Sequence, residues 1–169
     1  MLNVLGSMGL FVASSNQEEL NGRLPADYQW RMADFQKHLG KKKLQTIEEV
    51  LGYRQQLSKL YDEGLQSAGW PTTKHCKGTL LLRYPLRVAN KQALLERARA
   101  KRIELGSWFE SPLHPVPFDQ HSTFGYEQGI CPLAERASQE VVNLPLHEKV
   151  TPTEADRILR FFLKHAQKK

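Results

Sequence analysis

The sequence is poor in cysteine and has no long apolar run, and each shortage excludes a class of protein. Its 169 residues include two cysteines, Cys76 and Cys131, which lie far apart and outside any C-x-x-C pair. Free thiols in a reducing compartment are favoured over a single disulfide. His75, Cys76 and His114 lack the spacing of a metal-ligand set, so no metal site is predicted. No run approaches the roughly 18 apolar residues of a membrane span.

The N-terminal stretch also lacks two familiar signals. Residues 2–13 are apolar, but the positively charged start of a signal peptide is missing, and the first cation is Arg23. Gly6 and Gly9 stand outside the strand–loop–helix context of a phosphate-binding loop. We interpret residues 1–27 as the remnant of a large domain or the linker to one, and we expect a cytoplasmic protein.

The charge balance is moderately basic. Lys and Arg number 24 against 18 Asp and Glu, which gives a formal net charge of +6. This excess favours anionic partners such as nucleotides and phosphates. Nucleic acid is a weaker interpretation, because the basic residues are spread out and no nucleic-acid-binding motif is present. The length suits one domain with its own core, or a small domain that carries a helical arm.

A long helical arm is predicted from about Pro25 to residue 66. Asp27 or Asp34 is suited to cap its start, and Gly69-Trp70 to end it. An arm of thirty-odd residues would span roughly 50 Å. That is longer than a small domain needs, so part of the arm should pack on another domain or subunit. Its predicted apolar face consists of Leu44, Ile47, Leu51, Leu57, Leu60, Tyr61 and Leu65.

A strand and a helix are predicted next. Residues 78–88 are rich in β-formers, and Pro85 indicates an edge or a bulge. Residues 92–105 are amphipathic, and Gly106 is suited to the position after a helix end. Three prolines and two aromatic residues then give the loop at 108–117 an extended path.

The last part of the sequence is read as helix, short strand, turn and helix. Asn143-Leu144-Pro145 ends the first of these helices, because a residue before proline avoids the α region. Thr151-Pro-Thr-Glu154 has the form of a capping box. The apolar residues at helical spacing are Leu133, Ala134, Ala137, Val141 and Val142 in the first helix, and Ala155, Ile158, Leu159, Phe162 and Leu163 in the last.

Several segments resemble the DegT/DnrJ/EryC1/StrS family of sugar aminotransferases. The most specific is CPLAERASQEVVNLPLHEKVTPTEADRI near the end; YQWRMADFQKHLG in the arm, YPLRV and SPLHP also match. Together they cover roughly residues 28–165. The resemblance implies an α+β (α/β) fold, the small C-terminal domain of a fold-type I pyridoxal-phosphate (PLP) aminotransferase. That domain has a short, mostly antiparallel sheet flanked by helices and a long N-terminal helical arm. The implied division is 1–27 remnant or linker, 28–68 linking helix and 69–169 small domain.

The resemblance also implies candidate binding residues. The family motif carries an asparagine that contacts the PLP phosphate of the neighbouring subunit; Gln29 stands at that position here, two residues before Arg31. Gln29 and Arg31 are therefore the candidate cofactor-binding residues. The alternative for Arg31 is an ion pair with Asp27 or Asp34. His114 is the candidate substrate-binding residue, with a purely structural imidazole as its alternative.

The arm departs from the family pattern where that pattern has small residues. Lys37, His38 and Lys41-Lys42-Lys43 flank Gly40 on a surface that normally dimerises. They are either a solvated turn of helix or a surface altered to work without the usual partner. A homodimer remains one possibility.

The Schiff-base lysine of such an enzyme is not recognised in this sequence. Lys74 and Lys77 come nearest, but they lie on the wrong side of the arm and read as a solvated loop. We therefore assign no catalytic residue and expect the chain alone not to transaminate. The first hypothesis is the C-terminal domain of a PLP-dependent aminotransferase of nucleotide-linked keto sugars, completed by a large PLP-binding domain or another subunit. The alternative is a non-catalytic module that docks on a partner or binds a nucleotide sugar.

Overall fold

The computed structural model describes residues 17–72 and 79–169. The predictions for Leu2–Ala13, Gly6, Gly9, Lys74, His75, Cys76, Lys77 and the start of the predicted strand concern residues outside these ranges. In chain order the elements are α1 (Gln17–Leu20), α2 (Asp34–Gln45), α3 (Ile47–Ser67), β1 (Tyr84–Arg87), α4 (Lys91–Ala100), a 3-10 helix (Phe118–Phe124), α5 (Pro132–Glu140), β2 (Val141–Leu144) and α6 (Pro152–His165).

The sheet is a short antiparallel pair, as predicted. β1 and β2 pair from Tyr84 opposite Leu144 to Arg87 opposite Val141. Pro85 lies opposite Asn143, whose backbone N–H and C=O both bond to Gly106 on the other side of β2. Pro85 therefore sits where no N–H is required, and β1 is an edge strand of this pair. The strand is shorter than the predicted 78–88.

The core lies between α3, the sheet, α4 and α6. α3 and α6 pack against each other, and Trp70 meets the ring of Phe162 edge-on at 4.9 Å between centroids. Gly69, at φ 67°, ends α3 and lets the Trp70 N–H bond to the Leu65 carbonyl at 2.8 Å. The fully buried side chains are Tyr61, Tyr84, Phe162, Leu57, Leu65, Leu94, Leu144, Leu146, Ile158, Val88 and Val142.

The prediction of one continuous helix in the arm was wrong. The helix begins at Asp34, with Ala33 as its N-cap residue, and Thr46 (ψ 12°) separates α2 from α3. Leu44 is 67% exposed, whereas Leu57 and Leu65 are buried. Only the second half of the predicted apolar face therefore reaches the core.

Two further predicted helix ends were wrong. Val141 and Val142 belong to β2, and α5 stops at Glu140. At the end of α4 the left-handed position is held by Arg102 (φ 52°) and not by Gly106. The Ile103 N–H bonds to the Ala98 carbonyl at 2.8 Å, and burial of Ile103 in the core offsets the cost of the strained arginine.

Candidate functional site

The arm presents the first pair of predicted site residues. Gln29 and Arg31 lie in a turn and an extended stretch just before α2, and both are exposed. The turn is fixed by two backbone hydrogen bonds, from Tyr28 to Pro25 at 3.1 Å and from Trp30 to Asp27 at 2.9 Å.

Arg31 has no carboxylate partner among the described residues. Asp34, one of its two predicted partners, instead accepts from Lys37 Nζ at 2.8 Å, and no ion pair within residues 17–72 and 79–169 joins Arg31 to Asp27. The guanidinium group is therefore open to an anion from outside this part of the chain.

The arm also carries an unusual amount of exposed apolar surface. Every residue from 26 to 49 is exposed in the described structure. The large apolar side chains concerned are Tyr28 (65%), Trp30 (80%), Met32 (59%), Phe35 (67%), Leu39 (56%), Leu44 (67%) and Ile47 (39%). Monomeric soluble proteins rarely expose large apolar patches, so seven exposed large apolar side chains within residues 28–47 give this arm the character of an interface.

His114 lies in the loop between α4 and the 3-10 helix. It is half-buried, and its ring stands edge-on to Trp108 and Phe109 at 6.1 and 5.8 Å between centroids. Arg83 covers the Trp108 ring at 4.6 Å. We call the rings of Trp108, Phe109 and His114 the aromatic corner. No hydrogen bond, ion pair or ring contact between described residues joins the corner to Gln29 or Arg31, so the structure does not bring the two predicted sites together.

An apolar cleft of about 360 Å³ lies beside the aromatic corner. The loop forms one wall, and α5 with the sheet forms the other. The cleft is lined by Pro85, Trp108, Phe109, Ser111, Pro112, Ala134, Ala137, Ser138, Val141 and Asn143. The small side chains of Ala134 and Ala137 on α5 leave the cleft open beside the aromatic rings.

A second cavity, of about 490 Å³, lies between the 3-10 helix and α5. His121 is 4% exposed there, and its Nε2 lies 3.1 Å from the Val116 carbonyl and 3.3 Å from Ser111 Oγ. Because a carbonyl only accepts, Nε2 carries the proton. Sequence reasoning missed His121, since a lone histidine in a polar connector has no pattern that marks it as buried.

Glu135 is the charged group of this second cavity. Its Oε1 accepts from the Gly129 N–H at 2.6 Å and from the Tyr126 hydroxyl at 2.8 Å. These bonds, the first above all, hold the pKa of Glu135 below its ordinary value. Desolvation and the bond to Glu135 raise the pKa of Tyr126 to about 12. At neutral pH the pair is therefore a carboxylate and a neutral phenol.

The described ranges contain neither a membrane-spanning helix nor a cluster of metal-ligating side chains. No helix there is long and apolar enough to cross a membrane. No group of three or more His, Cys, Asp or Glu side chains in those ranges is placed to hold a metal ion.

Comparison with known proteins places these features in a family. The model of the DegT/DnrJ/EryC1/StrS aminotransferase family matches residues 2–162. The uncharacterized protein MJ1066 of Methanocaldococcus jannaschii is 31% identical over an aligned length of 134 residues, and the match covers 73% of this chain and 34% of that protein.

Two solved structures share the fold. DesV of S. venezuelae, solved in complex with a ketimine intermediate, matches 90% of this chain with a TM-score of 0.68 and 19% identity. A DegT DnrJ EryC1 StrS aminotransferase from Brucella abortus matches 82% with a TM-score of 0.65 and 19% identity. The chain spans 43% and 37% of those two chains. It has the fold of the matching part of aminotransferase chains of fold-type I, and it belongs to the DegT/DnrJ/EryC1/StrS aminotransferase family.

Proposed function

We propose that this chain forms the C-terminal part of a PLP-dependent aminotransferase that acts on nucleotide-linked keto sugars. The observation that supports this most directly is the first part of the arm: residues 26–49 are all exposed, and Gln29 and Arg31 are among them. In this proposal residues 28–68 are the linking arm, residues 69–169 are the small domain, and the complete enzyme works in the cytoplasm.

The donor set of the arm fits a phosphate group. A guanidinium donates several N–H bonds to phosphate oxygens and carries a fixed positive charge, and the amide of Gln29 adds a neutral donor. Arg31 is exposed and has no competing carboxylate among the described residues. PLP, when bound, supplies the electron sink for amino transfer. Arg31 and Gln29 hold its phosphate, and the Schiff-base lysine comes from another domain or chain.

The loop contributes on the substrate side. His114 stands edge-on to Trp108 and Phe109 and remains half-exposed. It contacts the sugar nucleotide at the mouth of the cleft, while the aromatic corner excludes water from that side. The partner is a large PLP-binding domain or another subunit, and the exposed apolar side chains of the arm dock on it.

Reconstitution tests the proposal. The chain is mixed with a large-domain protein of the same family that lacks its own small domain, and PLP binding is followed by visible absorption. We expect the mixture to bind PLP and to aminate a keto sugar nucleotide, and Arg31→Ala to weaken PLP binding by roughly tenfold or more, as loss of a charge-assisted contact predicts.

Arg160→Ala is the matched control, because Arg160 is an exposed cation whose one ion pair among the described residues is with Asp156 on its own helix. It should leave PLP binding unchanged. Equal effects of the two substitutions would contradict a specific role for Arg31. No PLP binding by any mixture would contradict the proposed function.

The lysines of α2 favour a second function, a non-catalytic module that docks on a partner or binds a nucleotide sugar. Lys41 and Lys42 lie exposed on α2, and Lys43 reaches Glu148 of the same chain at 3.5 Å. Calorimetry with the chain alone separates the two functions. Binding of a nucleotide sugar in the absence of PLP and of a large domain supports the module; binding that appears only in the reconstituted mixture supports the enzyme.

A further inference from the structure

The loop after α4 begins with residues 107–109, whose backbone carbonyls are not hydrogen-bonded within a helix or a sheet. Gly106 is the last residue paired with the sheet: its N–H bonds to the Asn143 carbonyl at 2.8 Å, and it accepts from the Asn143 N–H at 2.9 Å. Residues 107–109 then leave the sheet and lie in no helix or strand. Carbonyls of such a segment take their donors from side chains or water.

Two buried side chains supply those donors. Lys91 Nζ donates to the carbonyls of Ser107 at 2.9 Å and Phe109 at 3.2 Å. The Asn143 side-chain amide donates to the carbonyl between them, that of Trp108, at 2.5 Å. Lys91 is 8% exposed and Asn143 5% exposed.

Lys91 also fastens this loop to a helix. Its third hydrogen bond, at 2.6 Å, goes to the carbonyl of Ser138, which lies in the last turn of α5, where helix carbonyls have no partner within the helix. A positive charge is favourable at that end of a helix. One ammonium group thus joins the start of α4, the loop and the end of α5.

The surroundings of Lys91 hold its ammonium group in one position. All three protons of the ammonium have carbonyl acceptors, so the buried charge is solvated by dipoles. Burial lowers the pKa of Lys91 from its ordinary value, and the charge of Glu110 acts in the opposite direction.

We propose that Lys91 is the positioning residue of the aromatic corner. By holding the carbonyls of Ser107 and Phe109 against α5, it sets where Trp108 and Phe109 stand over the apolar cleft and where His114 faces outward. It acts through the loop and does not touch the substrate. The role in substrate binding rests on the proposed function; the role in holding the loop does not.

Amide hydrogen exchange on the chain alone tests the loop. The reporters are the hydrogen-bonded amides of Gly106, His114, Val116 and Asn143. Lys91→Met keeps the length of the side chain but removes its donors, and we expect exchange at these four amides to rise at least tenfold while the amides of α3 and α6 keep their protection. Lys101→Met, which removes an exposed lysine at the far end of the same helix, is the control and should change nothing.

Two further variants guard against a folding failure. Lys91→Arg retains several donors and a charge, and it should restore at least part of the protection. Lys91→Gln retains two donors on a shorter stem and should fall between the wild type and Lys91→Met. The proposal is overturned if reporter exchange stays within twofold of wild type in Lys91→Met or Lys91→Gln, or if it rises equally in the core helices.

The reconstituted enzyme tests the substrate side. There Lys91→Met should raise KM for the sugar nucleotide about tenfold and leave kcat within about twofold, with recovery in Lys91→Arg. An unchanged KM, alongside a loosened loop, would contradict the role in substrate binding. If wild-type mixtures do not turn over, the proposed function fails, and the exchange experiment still decides whether Lys91 holds the loop.

Discussion

Tyrosine hydroxyls fasten the arm to the small domain at the scale of single residues. Tyr53 on α3 donates to the Val150 carbonyl at 2.7 Å, and Tyr61 donates to the Pro145 carbonyl at 3.2 Å. Tyr84 on β1 reaches back to Asp62 at 2.5 Å. The rings of Tyr61 and Tyr84 also meet edge-on at 5.6 Å, so the polar bonds and the apolar packing act at the same place.

Removing the Tyr61 hydroxyl should destabilise the fold. In Tyr61→Phe the ring stays in the core, but the buried Pro145 carbonyl loses its donor, which costs about 1–2 kcal/mol of unfolding free energy. Urea denaturation measures the change. Tyr28→Phe is the control, because Tyr28 is 65% exposed on the arm, and a comparable loss there would contradict the explanation.

The Tyr126–Glu135 pair should respond to pH at both ends of the scale. The pKa of Tyr126 is raised to about 12 in the folded chain, so the pair stabilises fully below the ordinary tyrosine pKa near 10 and loses this effect as pH rises from about 10 to about 12. The pKa of Glu135 is lowered, so at the acid end the contribution is present above its ordinary pKa of about 4.5 and is lost as pH falls through the folded value.

Ultraviolet titration of tyrosinate checks this. The difference between wild type and Tyr126→Phe should show one phenol that ionises near pH 12, and Glu135→Gln should move it toward 10. A Tyr126 transition already near 10 in the wild type would contradict a desolvated phenol that is hydrogen-bonded to Glu135.

At the scale of elements, the contact between α3 and α6 depends on a glycine. A Cβ built on Gly64 would lie 2.3 Å from Leu159 Cδ2, and Leu159 is only 6% exposed. Gly52, three turns earlier on the same helix, has nothing within 4 Å of the corresponding position. The two glycines look alike in the sequence and differ only in what faces them.

Alanine substitution of the two glycines should change the free energy of unfolding in opposite directions. Gly64→Ala should lower the free energy of unfolding by about 1–2 kcal/mol, because overpacking outweighs the gain in helix propensity. Gly52→Ala should raise it by about 0.5–1 kcal/mol through propensity alone. Chemical denaturation of both variants provides the measurement, and a stabilised Gly64→Ala would show that α6 can move aside.

The capping residues illustrate how far local sequence predicts an element. Thr151 caps α6 as predicted, with the Glu154 N–H donating to its Oγ1 at 3.2 Å. The reciprocal half of the predicted box is absent from the described contacts, because the Glu154 carboxylate bonds to Arg157 at 2.9 Å instead. The bond between Thr151 and the Glu154 N–H can be predicted from the sequence. Which donor the Glu154 carboxylate binds, the Thr151 N–H or Arg157, depends on the fold.

At the scale of the whole molecule, the C-terminal residues are fastened across the domain. Asn90, before α4, donates from its side chain to the His165 carbonyl and accepts from the Gln167 N–H, both at 3.0 Å. Lys168 donates to the Gly69 carbonyl at 2.8 Å. Lys169 forms an ion pair with Glu140, which also binds Arg87. The end of the chain thus links α3, α4 and the sheet.

Asn90→Ala tests this linkage. It removes two hydrogen bonds and should cost roughly 1–3 kcal/mol, with faster amide exchange at Ala89, whose N–H bonds to Gln167. Gln92→Ala, which removes an exposed hydrogen bond to Glu96, should cost less than about 0.5 kcal/mol. Thermal or urea unfolding compares the two variants. Equal losses of unfolding free energy would exclude a special role for the C-terminal residues.

The sequence by itself determined the local features and the family. The end of α3 at Gly69, proline in the first turns of α5 and α6, and the cap of Thr151 follow from interactions between residues a few positions apart. The segment CPLAERASQEVVNLPLHEKVTPTEADRI identified the family that the comparison with known proteins confirms.

Only the tertiary structure decided which apolar and polar side chains are buried. Leu44 and Leu57 have the same chemistry and lie in one predicted helix, yet one is 67% and the other 2% exposed, because burial depends on the partner that packs against each. Lys91 reads as one more surface lysine, but its acceptors lie 16, 18 and 47 positions away. Backbone carbonyls are the same in every residue, so no sequence pattern records which side chain will bind them.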